Sequence, residues 1–146
     1  MFKFLIEEID NKGKSEERIA YLEQKYDIVF PAILRLLYSK ITSGEMKMCE
    51  FEIVDRHFAV TRIVPLEDED IDFEFIADDE RDEPMCNYIP CDWYPLAEYG
   101  GNYYYWSSNT HRIYYVDHED VEEQVLISDS IEAFIELLNN SIVEGE

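Results

Sequence analysis

The sequence predicts an α+β domain: an antiparallel β-sheet flanked by helices, with two N-terminal helices, a strand run containing an aromatic hairpin, and a C-terminal amphipathic helix. Three observations predict it. Apolar residues recur at helical spacing over residues 15–41, at a period of two over much of residues 49–117, and at helical spacing again over residues 129–142. Helices, then strands, then a helix is the order expected of a segregated antiparallel sheet. With 146 residues, 47% of them hydrophobic, the chain is expected to form one domain over residues 1–146.

Ser15 is the expected cap of the first helix, since Glu16 and Glu17 in its first turn match the helix dipole. Ile19, Leu22 and Tyr26 form its buried stripe. Pro31 suits the first turn of a second helix, with Ile33, Leu34, Leu37, Tyr38 and Ile41 facing inward and Gly44 as the stop. Cys49, Phe51 and Ile53 alternate with Glu50 and Glu52, the pattern of a half-buried strand. A turn at Asp55-Arg56-His57 leads to a second strand over 58–64. Ile71, Phe73 and Phe75 alternate with Asp70, Asp72 and Glu74, which suits an edge strand guarded by charge, and 77–83 is expected to be a loop. Strands over 94–98 and 102–107 flank Gly100-Gly101, and 111–117 follows a turn at Ser108-Asn109-Thr110, giving an antiparallel hairpin arrangement. A short strand is expected over 125–127. Asp129 caps the last helix, whose apolar face is Ile131, Phe134, Ile135, Leu138 and Ile142.

Charge narrows the function classes. Twelve basic residues oppose 34 acidic ones, a net of −22. Nucleic acid and anionic membrane are therefore poor partners. The charge is uneven: residues 1–62 carry a net of −1 and residues 63–146 a net of −21. No apolar run approaches the roughly 18 residues of a membrane span. The first ten residues lack the features of a signal peptide, and three cysteines are an odd number, so reduced thiols and a cytoplasmic location are expected.

Residues 67–83 hold 11 acids among 17 residues. A solvated loop explains such a stretch, and a docking surface for a basic partner is the functional reading. Asp68, Asp70 and Asp72 have the spacing of a calcium loop, but Phe73 stands where that loop needs glycine. Cys86 and Cys91 have zinc-like separation, yet no second cysteine pair accompanies them. His118, between Asp117 and Glu119, has the neighbours of a catalytic base but lacks a nucleophile. Neither metal, cofactor nor catalysis is expected. Tyr104 must face away from Tyr103 and Tyr105. Either a helix covers one face and the other is an aromatic ladder, or one or two tyrosines stand exposed as binding anchors.

Several motifs occur in a recognisable order: Ile19, Leu22 and Glu23; Phe30-Pro31; Pro95-Leu96-Ala97; Gly100-Gly101-Asn102-Tyr103-Tyr104; Ile113-Tyr114-Tyr115 with Asp117-His118-Glu119; and Ser130-Ile131-Glu132-Ala133-Phe134. In this the chain resembles the SUKH superfamily, whose namesakes include the fungal Smi/Knr cell-wall regulators. The resemblance spans about residues 15–138. Thr42-Ser43-Gly44-Glu45 replaces the usual Asn-Gly-Gly, and the acidic stretch has no family counterpart. The resemblance implies an α+β sheet flanked by helices and, for bacterial members, an immunity protein that binds and neutralises a cognate secreted toxin. A scaffold or regulator of the Smi/Knr type is the alternative. The charge adds that the toxin domain is basic. The candidate contacts are Glu67, Asp68, Glu69, Asp70, Asp72, Asp78, Asp79 and Glu80 from the acidic stretch, Glu119 and Asp120 beyond it, and Tyr103 and Tyr105 as anchors.

Overall fold

The computed structural model describes residues 1–68, 71–82 and 85–143. In chain order the elements are α1 (Lys12–Tyr26), α2 (Ala32–Tyr38), β1 (Glu45–Ile53), β2 (Arg56–Ile63), α3 (Phe73–Glu80), a 3₁₀ turn (Met85–Asn87), β3 (Trp93–Tyr99), β4 (Asn102–Ser107), β5 (Ile113–Asp117), β6 (Asp120–Ser128) and α4 (Ile131–Asn139). The six strands form one antiparallel sheet in the order β1-β2-β3-β4-β5-β6. With helices flanking that sheet, the α+β architecture is as expected.

Local chemistry explains the junctions. Gly100 and Gly101, both at positive φ, make the two-residue turn between β3 and β4. Val54 and Asp55 form the corresponding β1–β2 turn, one residue earlier than the expected Asp55-Arg56-His57, because Ile53 pairs with Arg56. Gly44 does not end α2, which stops at Tyr38. Its place is against β2, where a Cβ would lie 1.9 Å from the Ile63 carbonyl oxygen. Pro95 sits inside β3 at a register shift, where a missing N–H is tolerated.

The sheet curls strongly. With strands ~4.8 Å apart, a flat sheet would hold β2 and β5 roughly 14 Å apart, yet the Phe58 and Tyr115 rings meet at 5.2 Å. Arg56 closes the same wrap by pairing with Glu123 on β6. Tyr94, Tyr104 and Trp106 face the main core. There they meet Phe30 ahead of α2, Phe51 from β1 and Phe134 from α4. Ile131, Phe134, Ile135 and Leu138 are all buried.

Four further expectations need correction. Residue 12, not 15, starts α1; Ser15 is buried within it. Ser130 rather than Asp129 caps α4, accepting from the Ala133 N–H at 3.0 Å. The strand expected over 125–127 extends across nine residues as β6. The largest change concerns residues 71–80. They hold no edge strand: Phe73–Glu80 is a helix, capped by Asp72, whose carboxylate accepts from the Phe75 N–H at 2.9 Å. Phe73, Ile76, Ala77 and Glu80 are buried at helical spacing. Helical spacing won over alternation because α1, Tyr94 and Tyr105 together offer it a surface to cover.

Candidate functional site

β3 pairs with β2 only near its end, at Arg62↔Glu98 and Ile63↔Ala97, and α3 packs on β3. From there it serves both faces of the sheet. Phe73 stacks on Tyr94, with centroids 5.7 Å apart and planes at 4°. At the other end Glu80, only 3% exposed, reaches the opposite face. Its Oε1 accepts from the Tyr105 hydroxyl at 2.5 Å and lies 2.9 Å from His118 Nε2. His118 also packs edge-on against Tyr103 at 5.3 Å, and its backbone N–H donates to Asn102 Oδ1 at 3.0 Å. Glu80 therefore ties α3 to the β5–β6 turn. Burial and the Glu80 carboxylate push the Tyr105 phenol well up, and burial, then the nearby Glu98 charge, raise Tyr103 to about 12. Both phenols stay protonated at neutral pH, and Tyr105 is the donor to Glu80.

The flank of α3 facing α1 is also occupied. Glu74 meets Lys25 Nζ at 2.6 Å, the Tyr21 hydroxyl at 2.6 Å and Arg18 Nη2 at 2.7 Å. Lys25 foremost, then Tyr21 and Arg18, hold the Glu74 carboxyl down at about 2. Asp78 accepts from Lys25 at 2.8 Å and from the Tyr26 hydroxyl at 2.7 Å. Arg81 tucks inward, 4.4 Å over the Tyr94 ring, donating to the Ala77 and Cys91 carbonyls.

What α3 turns outward is Phe75, 57% exposed, with Asp79 one turn on and Asp82 just beyond the helix. The β5–β6 turn adds Glu119 and Asp120, both exposed; Asp117 shapes that turn by accepting from the Glu119 N–H at 2.9 Å. Glu67 and Asp68 are exposed ahead of α3, and Asp68 lies 3.8 Å from Arg62. The Glu80–His118 contact holds the exposed acids of α3 near those of the β5–β6 turn, and Phe75 is the exposed aromatic of α3.

Several expected contacts move. Tyr103 and Tyr105 are buried, so the expectation of exposed tyrosine anchors is corrected: α3 and His118 cover that face of the hairpin. Asp72 is a buried helix cap and Glu80 a buried brace, so neither carboxylate is presented outward. Asp78 is half-committed to Lys25. Glu69 and Asp70 lie outside the described residues. Phe75 escaped sequence reasoning because a period of two put it beside Phe73. The helical series Phe73, Ile76, Ala77, Glu80 was the signal that turns it outward.

Cys49 is buried, its thiol raised to about 11 by burial, whereas Cys86 and Cys91 are exposed. Among the described residues, no group of three or more His, Cys, Asp or Glu is placed to hold a metal ion. No helix among them is long and apolar enough to cross a membrane.

Fold and face together define a small α+β domain built on one curled antiparallel sheet, presenting an acidic surface. Its sequence matches the SMI1 / KNR4 family (SUKH-1) over residues 13–137, and the chain belongs to that family. No curated protein matches the chain in sequence.

Proposed function

We propose that this chain is a non-enzymatic immunity protein that works in the cytoplasm by binding and neutralising a cognate, basic, secreted toxin domain. Family membership supports a protein-interaction role. The observation that carries the reading is the outward face of α3: exposed Phe75 with Asp79, beside Glu119 and Asp120. Glu67 and Asp68 extend the same charge toward the start of the acidic stretch, and Glu69 and Asp70 belong to the proposal by sequence. Such a face steers a basic partner by charge and slows its escape by burying an aromatic anchor. The closed Glu80–Tyr105–His118 contact acts as a brace that fixes the two parts of the face. The family match supports a second reading equally, a scaffold or regulator of the Smi/Knr type.

Co-expression with a basic toxin domain captured by this chain in a pull-down from its native organism tests the proposal. The expected result is rescued growth, lost in a folded Phe75→Ala, Asp79→Asn, Asp120→Asn variant. Continued toxicity in the presence of the folded natural chain contradicts it.

A further inference from the structure

Resting on the reading of this chain as a binder of a basic protein, we propose that the outer edge of β6 docks an extended segment of that partner, apolar at its start and basic at its end, as an added strand of the sheet. The two edges of the sheet differ. Along β1 the chain covers its own edge: the Lys47 N–H donates to the Phe4 carbonyl at 2.7 Å, the Glu50 N–H to the Ser141 carbonyl at 2.9 Å, and the Val143 N–H to the Met48 carbonyl at 2.9 Å. Along β6, among the described residues, the main chain bonds to no main chain other than that of β5. Only the strand's own Gln124 side chain reaches back, to the Val121 carbonyl at 3.3 Å.

β6 runs for nine residues against the five of β5, so its outer N–H and C=O groups form a row roughly 30 Å long at ~3.3 Å per residue. Such a row is a template for strand addition, and the side chains beside it select the occupant. Toward its start β6 carries Asp120, Glu122 and Glu123 and no base. Arg56, the cation that reaches this strand, is taken by Glu123. Toward its end the chemistry changes to Val125 and Leu126. Leu126 is 41% exposed, opposite Tyr114, whose ring stacks on Trp93 at 4.2 Å. Between the two halves Gln124 donates to the Tyr88 carbonyl at 2.7 Å, which holds the chain after the 3₁₀ turn beside the strand.

This division fixes the occupant and its direction. A second copy of the chain, with a net charge of −22, is repelled. A partner strand running antiparallel, the stabler pairing, sets its first residues beside Leu126 and its last beside Glu122 and Asp120. β-Branched apolar residues suit the first position, and lysine or arginine suits the second. Acids on an edge also deter pairing. The two roles differ in what they admit: a guarded edge excludes every strand, whereas a docking edge admits one of opposite charge.

Amide-resolved NMR titration of the whole chain with the peptide acetyl-Val-Thr-Ile-Thr-Lys-Lys-Lys-amide tests this at constant ionic strength. No toxin is needed, so failure here leaves the immunity reading standing, and failed growth rescue leaves this edge standing. The expected result is saturable shifts and slowed hydrogen exchange at the amides of residues 121–127. N-methylation of alternate peptide residues blocks one of the peptide's two edges. Of two such peptides, one for each edge, one should bind roughly ten-fold or more weakly than the other, because main-chain hydrogen bonds form on one side only. Reversing the peptide sequence, and Glu122→Gln in the chain, should each weaken binding several-fold. No shift in β6 at millimolar peptide, shifts that never saturate, or equal binding of the two N-methylated peptides overturns the proposal, leaving the acids as a guard on the edge.

Discussion

At Glu74 three donors from α1 converge within 2.7 Å, and they hold its carboxyl at about 2 against an ordinary value of 4.5. A carboxyl depressed by folding contributes stability above its unfolded value and loses it as pH falls through the folded one. Urea melts across pH should therefore show a loss of stability between pH 4.5 and about 2 that is smaller in Glu74→Gln. The two tyrosines of the hairpin differ in kind. The Tyr105 hydroxyl donates to the buried Glu80 carboxylate, so Tyr105→Phe should cost about 1.5–3 kcal/mol. Tyr103 has a raised phenol but no comparable bond, and Tyr103→Phe should stay within ~0.5 kcal/mol of the parent in the same melts. Alternation along β4 showed that these tyrosines share a face. It could not show what covers that face, because the cover comes from Glu80 and His118, distant in sequence.

Where periodicity met burial on one side only, the elements were legible. α4 is the clearest case: Ile131, Phe134, Ile135 and Leu138 are buried as its spacing requires, and Phe134 packs 5.7 Å from Tyr104. Phe134→Ala should cost roughly 3–5 kcal/mol by denaturant melting. In α3 two periods compete, because Ile71, Phe73 and Phe75 alternate while Phe73, Ile76, Ala77 and Glu80 are helical. The Asp72 cap and the helical series favour the helix locally, and tertiary contact with α1 and Tyr94 decides between the two periods. The β1–β2 turn shows a related limit. Val54 adopts φ 47°, an unfavourable value for a β-branched residue, at 92% exposure. Hydrogen-bond register across β1 and β2 overrides its preference. Val54→Asn should raise stability by about 1 kcal/mol, since asparagine tolerates that conformation.

Over the whole molecule the charge split along the chain is not a split in space. Arg18 and Lys25 pair with Glu74 and Asp78, Arg56 with Glu123, and Arg62 with Glu98, so cations of the nearly neutral first part serve acids of the second. The total charge was legible in composition, whereas which acids remain outward was not. Among the described residues Asp79, Asp82, Glu119, Asp120 and Glu122 are exposed without an ion pair. Long-range attraction to a basic partner falls with ionic strength, while a buried aromatic anchor acts chiefly on dissociation. The most direct measurement is stopped-flow association and dissociation of this chain with the proposed basic toxin domain across a salt series. The account predicts an on-rate that falls steeply with salt and with Asp79→Asn, Glu119→Gln and Asp120→Asn together. It predicts faster dissociation in Phe75→Ala, with the on-rate little changed. Binding whose on-rate ignores both salt and those three substitutions, and whose off-rate ignores Phe75→Ala, would contradict it.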